Sequence, residues 1–419
     1  MAYREEIAVD KGIDNTISFL LEGYKYISNR TNRYNRNIFQ TRLFGGKKCI
    51  CMVGKDAAEV FYEQSKIKRH GATPPRVLKS FLGEGGVQTL DGVTHRHRKN
   101  LFMSLMTKEQ LYDVTNIFKQ EWLHAFSRKR DHIILYNEAK VILMKTALKW
   151  AGIPDNAVKK VNITGQLASL FESGGAIGSK YWRGRMNRKR LDNWMEKLII
   201  AVRETNIDVN PKTALYQMAY HRNLEGTLLN PKIVSVEVLN ILRPIIAIAV
   251  YLTFCALALH QFPEEREKLK KGTSADYRMF IQEVRRYYPF FPVVIGKVKE
   301  DFVWSGHVFK QDIHIMLDLY GTNHDPNIWE EPDVFRTERF KNWKDNAFSL
   351  IPQGGAEHYK HHRCAGEWLT MDIMKTFSEL LVKDMTYDVS PQKLQYSMVK
   401  MPSIPKSGFV MENVVVNFN

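Results

Sequence analysis

Gly354-Gly355-Ala356-Glu357-His358-Tyr359-Lys360-His361-His362-Arg363-Cys364-Ala365-Gly366-Glu367 is a polar loop opened by two glycines and closed by one cysteine. Behind it Leu369, Ile373, Phe377, Leu380 and Leu381 recur at helical spacing, so Cys364 is expected at or just before a helix N-terminus. The free N–H groups and the positive end of the helix dipole there favour a thiolate over a thiol. His362 and Arg363 add donors and positive charge. Such a cysteine suits either a nucleophile or an axial metal ligand.

Three earlier places bear on that choice. Glu283 and Arg286 stand at i, i+3 in a helix expected from Ala275 to Tyr288, so they share one face. A surface ion pair is the ordinary interpretation. Arg339 follows in Phe335-Arg336-Thr337-Glu338-Arg339-Phe340. Arg243-Pro244 interrupts a nearly all-apolar segment, Ile233 to Gln261, expected to be a central helix. Proline inside a helix removes one backbone bond, here to the carbonyl of Asn240, and costs about 3 kcal/mol. An arginine in apolar surroundings must be paired. Arg243 either snorkels to solvent or receives a ligand carboxylate, to which its planar fork is matched.

The bulk composition excludes several classes. The chain has 419 residues, 44% hydrophobic and 25% charged, the proportions of a globular protein without low-complexity tracts or repeats. Its N-terminal MAYREEIAVDKGIDNTISFLLEGYKYI carries early acidic residues and no sustained apolar run, unlike a signal peptide or membrane anchor. Four cysteines without a signal sequence read as thiols in a cytoplasmic protein. The net charge of +16 comes from scattered Lys and Arg outside any nucleic-acid-binding motif. A solvated basic surface, attractive to small anions, is the expectation.

Along the chain, Asn15 to Tyr26 is expected as a helix, and Ile38 to Phe44 with Lys48 to Val53 as a β-hairpin. Cys49 and Cys51 share a face of its second strand, as packing residues. The Gly-rich loop Ser80 to Gly92 lacks a phosphate-binding pattern, and His95-Arg96-His97-Arg98-Lys99 opens another helix. That basic cluster is either a solvated face or a holder for a carboxylated cofactor. The pattern from about 108 to 262 is mostly helical; short strands are expected from Val293 to Val298 and Phe302 to Phe309, followed by the apolar run Ile313 to Leu319.

Taken in order, Glu283-x-x-Arg286, then Glu338-Arg339-Phe340, then a loop cysteine before a helix resembles the heme-thiolate cytochrome P-450 superfamily over nearly the whole chain. The resemblance implies one catalytic domain over 1–419, mainly α with a smaller β-rich lobe (near 36–54 and 293–320). Heme b would lie between the central helix and the Cys364 loop, with Cys364 as axial thiolate. Glu283, Arg286 and Arg339 match the family's buried ion network. His362, Arg363, His95 and Lys99 fall where basic residues meet the heme propionates. Glu357 and Lys360 replace a common phenylalanine and glycine of the ligand loop. With Arg243-Pro244, and no acid–alcohol pair between Ile241 and Ala249, these departures are similar to the fatty-acid peroxygenase branch, which includes alkene-forming decarboxylases.

That branch implies a long-chain fatty acid and H2O2 as reactants, with no reductase required, no nucleic acid and no membrane anchor. The substrate carboxylate, held by Arg243 beside Pro244, would act as the acid–base group. Phe81, Leu82, Val293 and Val294 are expected along the alkyl chain. Gln88 stands where alkene-forming members have histidine, so hydroxylation at Cα or Cβ should dominate. A redox-partner-dependent monooxygenase and a non-catalytic heme-thiolate sensor are the alternatives.

Overall fold

The structure, a computed structural model, describes residues 7–158, 162–344 and 346–417. The first six residues of the N-terminal stretch quoted above therefore lie outside it. The chain is mainly helical with a smaller sheet-rich lobe. The sheet has six strands in the order Ala8–Val9, Ile38–Leu43, Lys47–Met52, His314–Asp318, Val293–Val298, Ile67–Lys68. The expected hairpin pairs Thr41 with Cys49 and Phe39 with Cys51. Both cysteines are buried with Tyr26, Phe39 and Met316, as packing residues.

The elements differ from expectation in three places. The first helix breaks at Gly23 into Thr16–Glu22, a tight turn and Tyr26–Tyr34. Phe302 to Phe309 is a small hairpin, Phe302–Trp304 with His307–Phe309, turning at Ser305-Gly306. The helical region also contains a strand, Arg130–Ile134, paired with Val410–Val416. Its partner lies far along the chain, which local periodicity cannot register.

The central helix runs Pro231–Ala247, tightens at Ile248 and continues Ala249–Gln261. It is long and apolar enough to cross a membrane (mean hydropathy 2.1), but 94% of that window is buried inside the chain. It is a core helix. Around it pack Leu135–Ala151, Ser179–Arg203, Ser274–Tyr287 and the helix behind the cysteine loop, Glu367–Glu379.

Glu283 locks the helical core to the loop leading to Arg339. Arg286 donates to both its oxygens at 2.7 Å, Arg339 approaches at 3.2 Å, and the Arg336 backbone N–H donates at 2.8 Å. Glu283 and Arg286 are fully buried. The sequence pair is thus no surface bridge; deleting one partner of such a buried pair costs about 3–5 kcal/mol.

Candidate active site

Two surfaces face each other across the core. One is the cysteine loop, whose fold is set by short-range bonds. The Cys364 N–H donates to the Gln353 carbonyl at 3.1 Å, and Gly366 precedes the helix Glu367–Glu379. The Cys364 Sγ lies 3.9 Å from the Gln353 amide nitrogen. Burial pushes the thiol up, against the downward pull of Lys99, the Gly366 N–H and Arg285.

Arg363 and His362, adjacent in sequence, diverge in space. The Arg363 guanidinium donates to Glu367 at 2.6 Å and to the Ala356 carbonyl at 3.2 Å. Glu367 also receives Arg285 and His358. Burial alone would raise Glu367, yet these partners hold it well below the usual carboxylate range. This buttress for the cysteine loop was not assigned from sequence, where Glu367 is merely the last residue of the loop.

His362 instead stacks on His95, ring centroids 3.9 Å apart. Lys99 donates to the Arg363 carbonyl. Arg69, buried in the same cluster, donates to the Ile295 carbonyl at 2.7 Å. Burial holds His95 down at about 4 and Lys99 at about 8. The His95 Nδ1 is buried without a hydrogen-bond partner. Arg69, His95, Lys99 and His362 are thus a basic donor set suited to a group bearing carboxylates, above a cysteine sulfur. The residues fit heme. Arg69 was missed because it lies in a basic stretch indistinguishable from a solvated one.

The opposite surface is built on the central helix. Arg243 is 4% exposed, its guanidinium 4.2 Å above the Phe81 ring and donating to the Phe81 carbonyl. Among the described residues no carboxylate lies within ion-pair distance of it. Burial, then the nearby Arg188, pushes Arg243 down to about 9, still protonated at neutral pH. Arg188, from Ser179–Arg203, donates to the same carbonyl at 3.1 Å and to Asp192 at 2.9 Å. At Gly83, with φ +84°, a Cβ would stand 2.3 Å from Arg188 Nη2.

One turn before Arg243, Asn240 donates to the Gln88 Oε1 at 3.1 Å and to Glu237 at 3.3 Å. Buried Glu237 also receives Arg98 at 2.7 Å. Asn240, Arg243 and half-buried Pro244 thus share one helix face, and Gln88 is held against it through Asn240. Of the expected chain-lining residues, Phe81 lies against Arg243, and Leu82 ends the same turn. Val293 and Val294 alternate on their strand, so they face opposite sides and pack on separate clusters of the sheet lobe. Phe291, not singled out from sequence, lies 6.2 Å from Phe81.

A helical core, a buried Glu-x-x-Arg–Arg network and a loop cysteine with a basic donor set define a heme-thiolate protein. Residues 277–413 match the cytochrome P-450 family model. Over its full length the chain resembles the solved structure of cytochrome P-450EX alpha (CYP152N1) with myristic acid. It is 45% identical to it, covering 99% of this chain and 100% of that one, with a TM-score of 0.95. A variant of P-450 OleT in complex with arachidonic acid is 37% identical over 99% and 100%, with a TM-score of 0.94. P-450SP alpha (CYP152B1) in complex with (R)-ibuprophen is 42% identical over 97% and 100%, with a TM-score of 0.93. The chain belongs to the cytochrome P-450 family, and its full-length likeness lies with the CYP152 members.

Among curated relatives, cytochrome P-450 71D94 of Mentha gracilis is 31% identical over 22% of each chain. The steroid 17-alpha-hydroxylase/17,20 lyase of Rattus norvegicus is 28% identical over 32% of this chain and 26% of its own. Aligned segments thus span about a fifth to a quarter of these two relatives.

Proposed function

We propose that this protein is a fatty-acid peroxygenase. It uses H2O2 to hydroxylate long-chain fatty acids at Cα or Cβ, releasing water, with oxidative decarboxylation to terminal alkenes as a minor route. The observation carrying this is Arg243: a buried guanidinium held by a backbone carbonyl and a ring, with no carboxylate partner among the described residues.

Heme b would be held by the Cys364 sulfur, with Arg69, His95, Lys99 and His362 available to its propionates. Bound there, it supplies the oxidising chemistry that a thiolate ligand promotes. Arg243 exchanges the Phe81 carbonyl for the substrate carboxylate, a stronger, charge-assisted partner. The carboxylate is thereby fixed where it can move a proton between the peroxide oxygens, a general acid–base task. Because the acid–alcohol pair is missing from Ile241 to Ala249, no side chain there competes for that task. Fixing the carboxylate also fixes Cα and Cβ at the oxidising centre.

Phe81 and Phe291 border the start of the alkyl chain. The Gln88 amide, with its oxygen engaged by Asn240, offers N–H groups and neither the basicity nor the redox role of histidine. Four free thiols agree with a reducing, cytoplasmic setting.

The test mixes heme-loaded protein with a long-chain fatty acid and H2O2, without reductase, and identifies products by mass spectrometry. Hydroxy acids are expected. Turnover only with NADPH and a reductase would establish a partner-dependent monooxygenase instead, and ligand binding without turnover under either condition a sensor.

A further inference from the structure

Less than two turns before Arg243, the central helix carries a buried carboxylate that the proposed reaction does not use. Glu237 is 1% exposed, and Arg98 of the helix Gly92–Ser104, itself 6% exposed, donates to its Oε1 at 2.7 Å. Asn240, one turn further on, donates from a single Nδ2 to the Glu237 Oε2 at 3.3 Å and to the Gln88 Oε1 at 3.1 Å. Its own Oδ1 is buried without a partner. The loop carrying Gln88 passes so close that a Cβ at Gly86 would stand 2.8 Å from the Asn240 Nδ2 and 3.0 Å from the Gln88 Oε1. Replacing a buried ion pair by apolar residues of similar volume is often neutral or stabilising, and an orphaned buried oxygen is a further cost. Stability alone does not account for this arrangement.

The charge on Glu237 decides how two amides point. An ionised carboxylate only accepts, so the Asn240 group facing it has to be the NH2. That NH2 also meets Gln88, which therefore turns its oxygen toward Asn240 and leaves its own NH2 without a partner among the described residues. A protonated Glu237 would reverse every link. Its O–H would donate to the Asn240 Oδ1, that oxygen would accept from the Gln88 NH2, and the Gln88 oxygen would turn outward. Burial raises the Glu237 carboxyl, and Arg98 is the charge that opposes this. The Val87 N–H also faces Glu237, and among the described residues no other charged side chain bonds to it. Behind Arg98 lies His221, 4.9 Å from the His97 ring and held down at about 4 by burial, so it is neutral near pH 7.

We propose that Arg98 and Glu237 are positioning residues that set Gln88 as a hydrogen-bond donor toward the substrate carboxylate. This adds a second donor to Arg243, and it rests on the fatty-acid reading above. With the relay in this sense, the Gln88 N–H and the Arg243 guanidinium share one carboxylate, fixing Cα and Cβ more narrowly than either alone. With the relay reversed, an amide oxygen faces the carboxylate and the two acceptors repel. An ion pair that never touches substrate thus decides the polarity of a residue that does.

The test titrates a long-chain fatty acid into the heme-loaded protein and follows heme absorption, which reads binding without turnover. In wild type the Kd should stay level between about pH 6 and pH 9, where a dissolved carboxylic acid is ionised. In Glu237→Gln the new amide oxygen is taken by Arg98, so its NH2 faces Asn240 and the relay is reversed at every pH. Kd should rise about tenfold there and stay level. In Arg98→Gln, Glu237 protonates as pH falls, so Kd should rise about tenfold toward pH 6 and recover toward pH 9. The double variant should lose that pH dependence. Recovery with rising pH separates a turned amide from a misfolded chain, which would not recover. Infrared spectra read the relay without any ligand. Subtracting wild type from Arg98→Gln at about pH 6 should leave one protonated-carboxyl band, absent when the double variant takes its place. Wild-type affinity in Glu237→Gln, a level Kd in Arg98→Gln, or no such band would overturn the relay. Binding that follows this pattern without peroxide-driven oxidation in any form would refute the peroxygenase reading and leave the relay standing. Oxidation with Kd values indifferent to both variants would do the reverse.

Discussion

Arg243 concentrates the chemistry of this protein in one side chain. Its guanidinium is buried, protonated at neutral pH and satisfied by groups that a carboxylate outcompetes. Arg243→Ala should abolish fatty-acid oxidation, lowering kcat/KM by a factor of about 100 or more, while heme still binds. Product analysis beside the heme absorption spectrum checks both halves; normal oxidation by the variant would refute substrate-assisted proton transfer. Gln88 governs which product forms. Gln88→His should raise the ratio of terminal alkene to hydroxy acid, measured by gas chromatography of the same reaction. That ratio is unaffected by how much variant is loaded, so a change in it reports on the site rather than on folding.

At the scale of elements, the central helix accepts a defect to serve the site. Pro244 removes the backbone bond to Asn240, and the helix tightens four residues later at Ile248, whose N–H bonds to Ile245 at 3.1 Å. Asn240 and Arg243 both project from this turn. Pro244→Ala should stabilise the protein by roughly 1–3 kcal/mol, by restoring the ladder. Catalytic efficiency should fall at the same time, because restoring the backbone bond shifts the turn that carries Arg243. A thermal melt paired with steady-state kinetics checks this; a gain in stability with unchanged kinetics would make the proline incidental. The ligand helix offers a contrast. Its terminus was legible from spacing, but burial pushes the Cys364 thiol up, and no local pattern reports how deeply a residue will be buried.

At the scale of the whole molecule, the N-terminal helices are tied to the sheet lobe through Asp318. This carboxyl is 1% exposed, accepts from the Gly321 N–H at 2.7 Å and from Ser28 at 3.0 Å, and is pushed up to about 7 by burial. Its folded value stands above the unfolded 3.8, so its contribution is fully present below that pH and is lost as pH rises through about 7. Asp318→Asn keeps an acceptor but cannot ionise. The variant should gain about 2–4 kcal/mol relative to wild type between pH 4 and pH 8. Urea midpoints of the two proteins, measured across that range, check the slope; parallel curves would show that Asp318 does not titrate in this window.

The sequence by itself determined the Cys364 loop and its helix, the apolar central helix with its Arg-Pro defect, and the Glu283–Arg286 spacing. Each of these is a local pattern, carried by residues within a few positions of one another. Only the tertiary structure decided which partner each charged side chain takes. It turned Arg363 toward Glu367, gathered Arg69 beside His95 and His362, set Arg188 on the Phe81 carbonyl, and packed Val293 and Val294 on separate clusters either side of their strand. The reason is physical: burial makes an unpaired charge costly, so each cation settles on whatever acceptor the packed core brings within reach, from Glu367 one turn beyond Arg363 to the Ile295 carbonyl 226 residues beyond Arg69. The cysteine was readable where it stands in the chain; the arginine facing it acquired a role only once the core had closed around it.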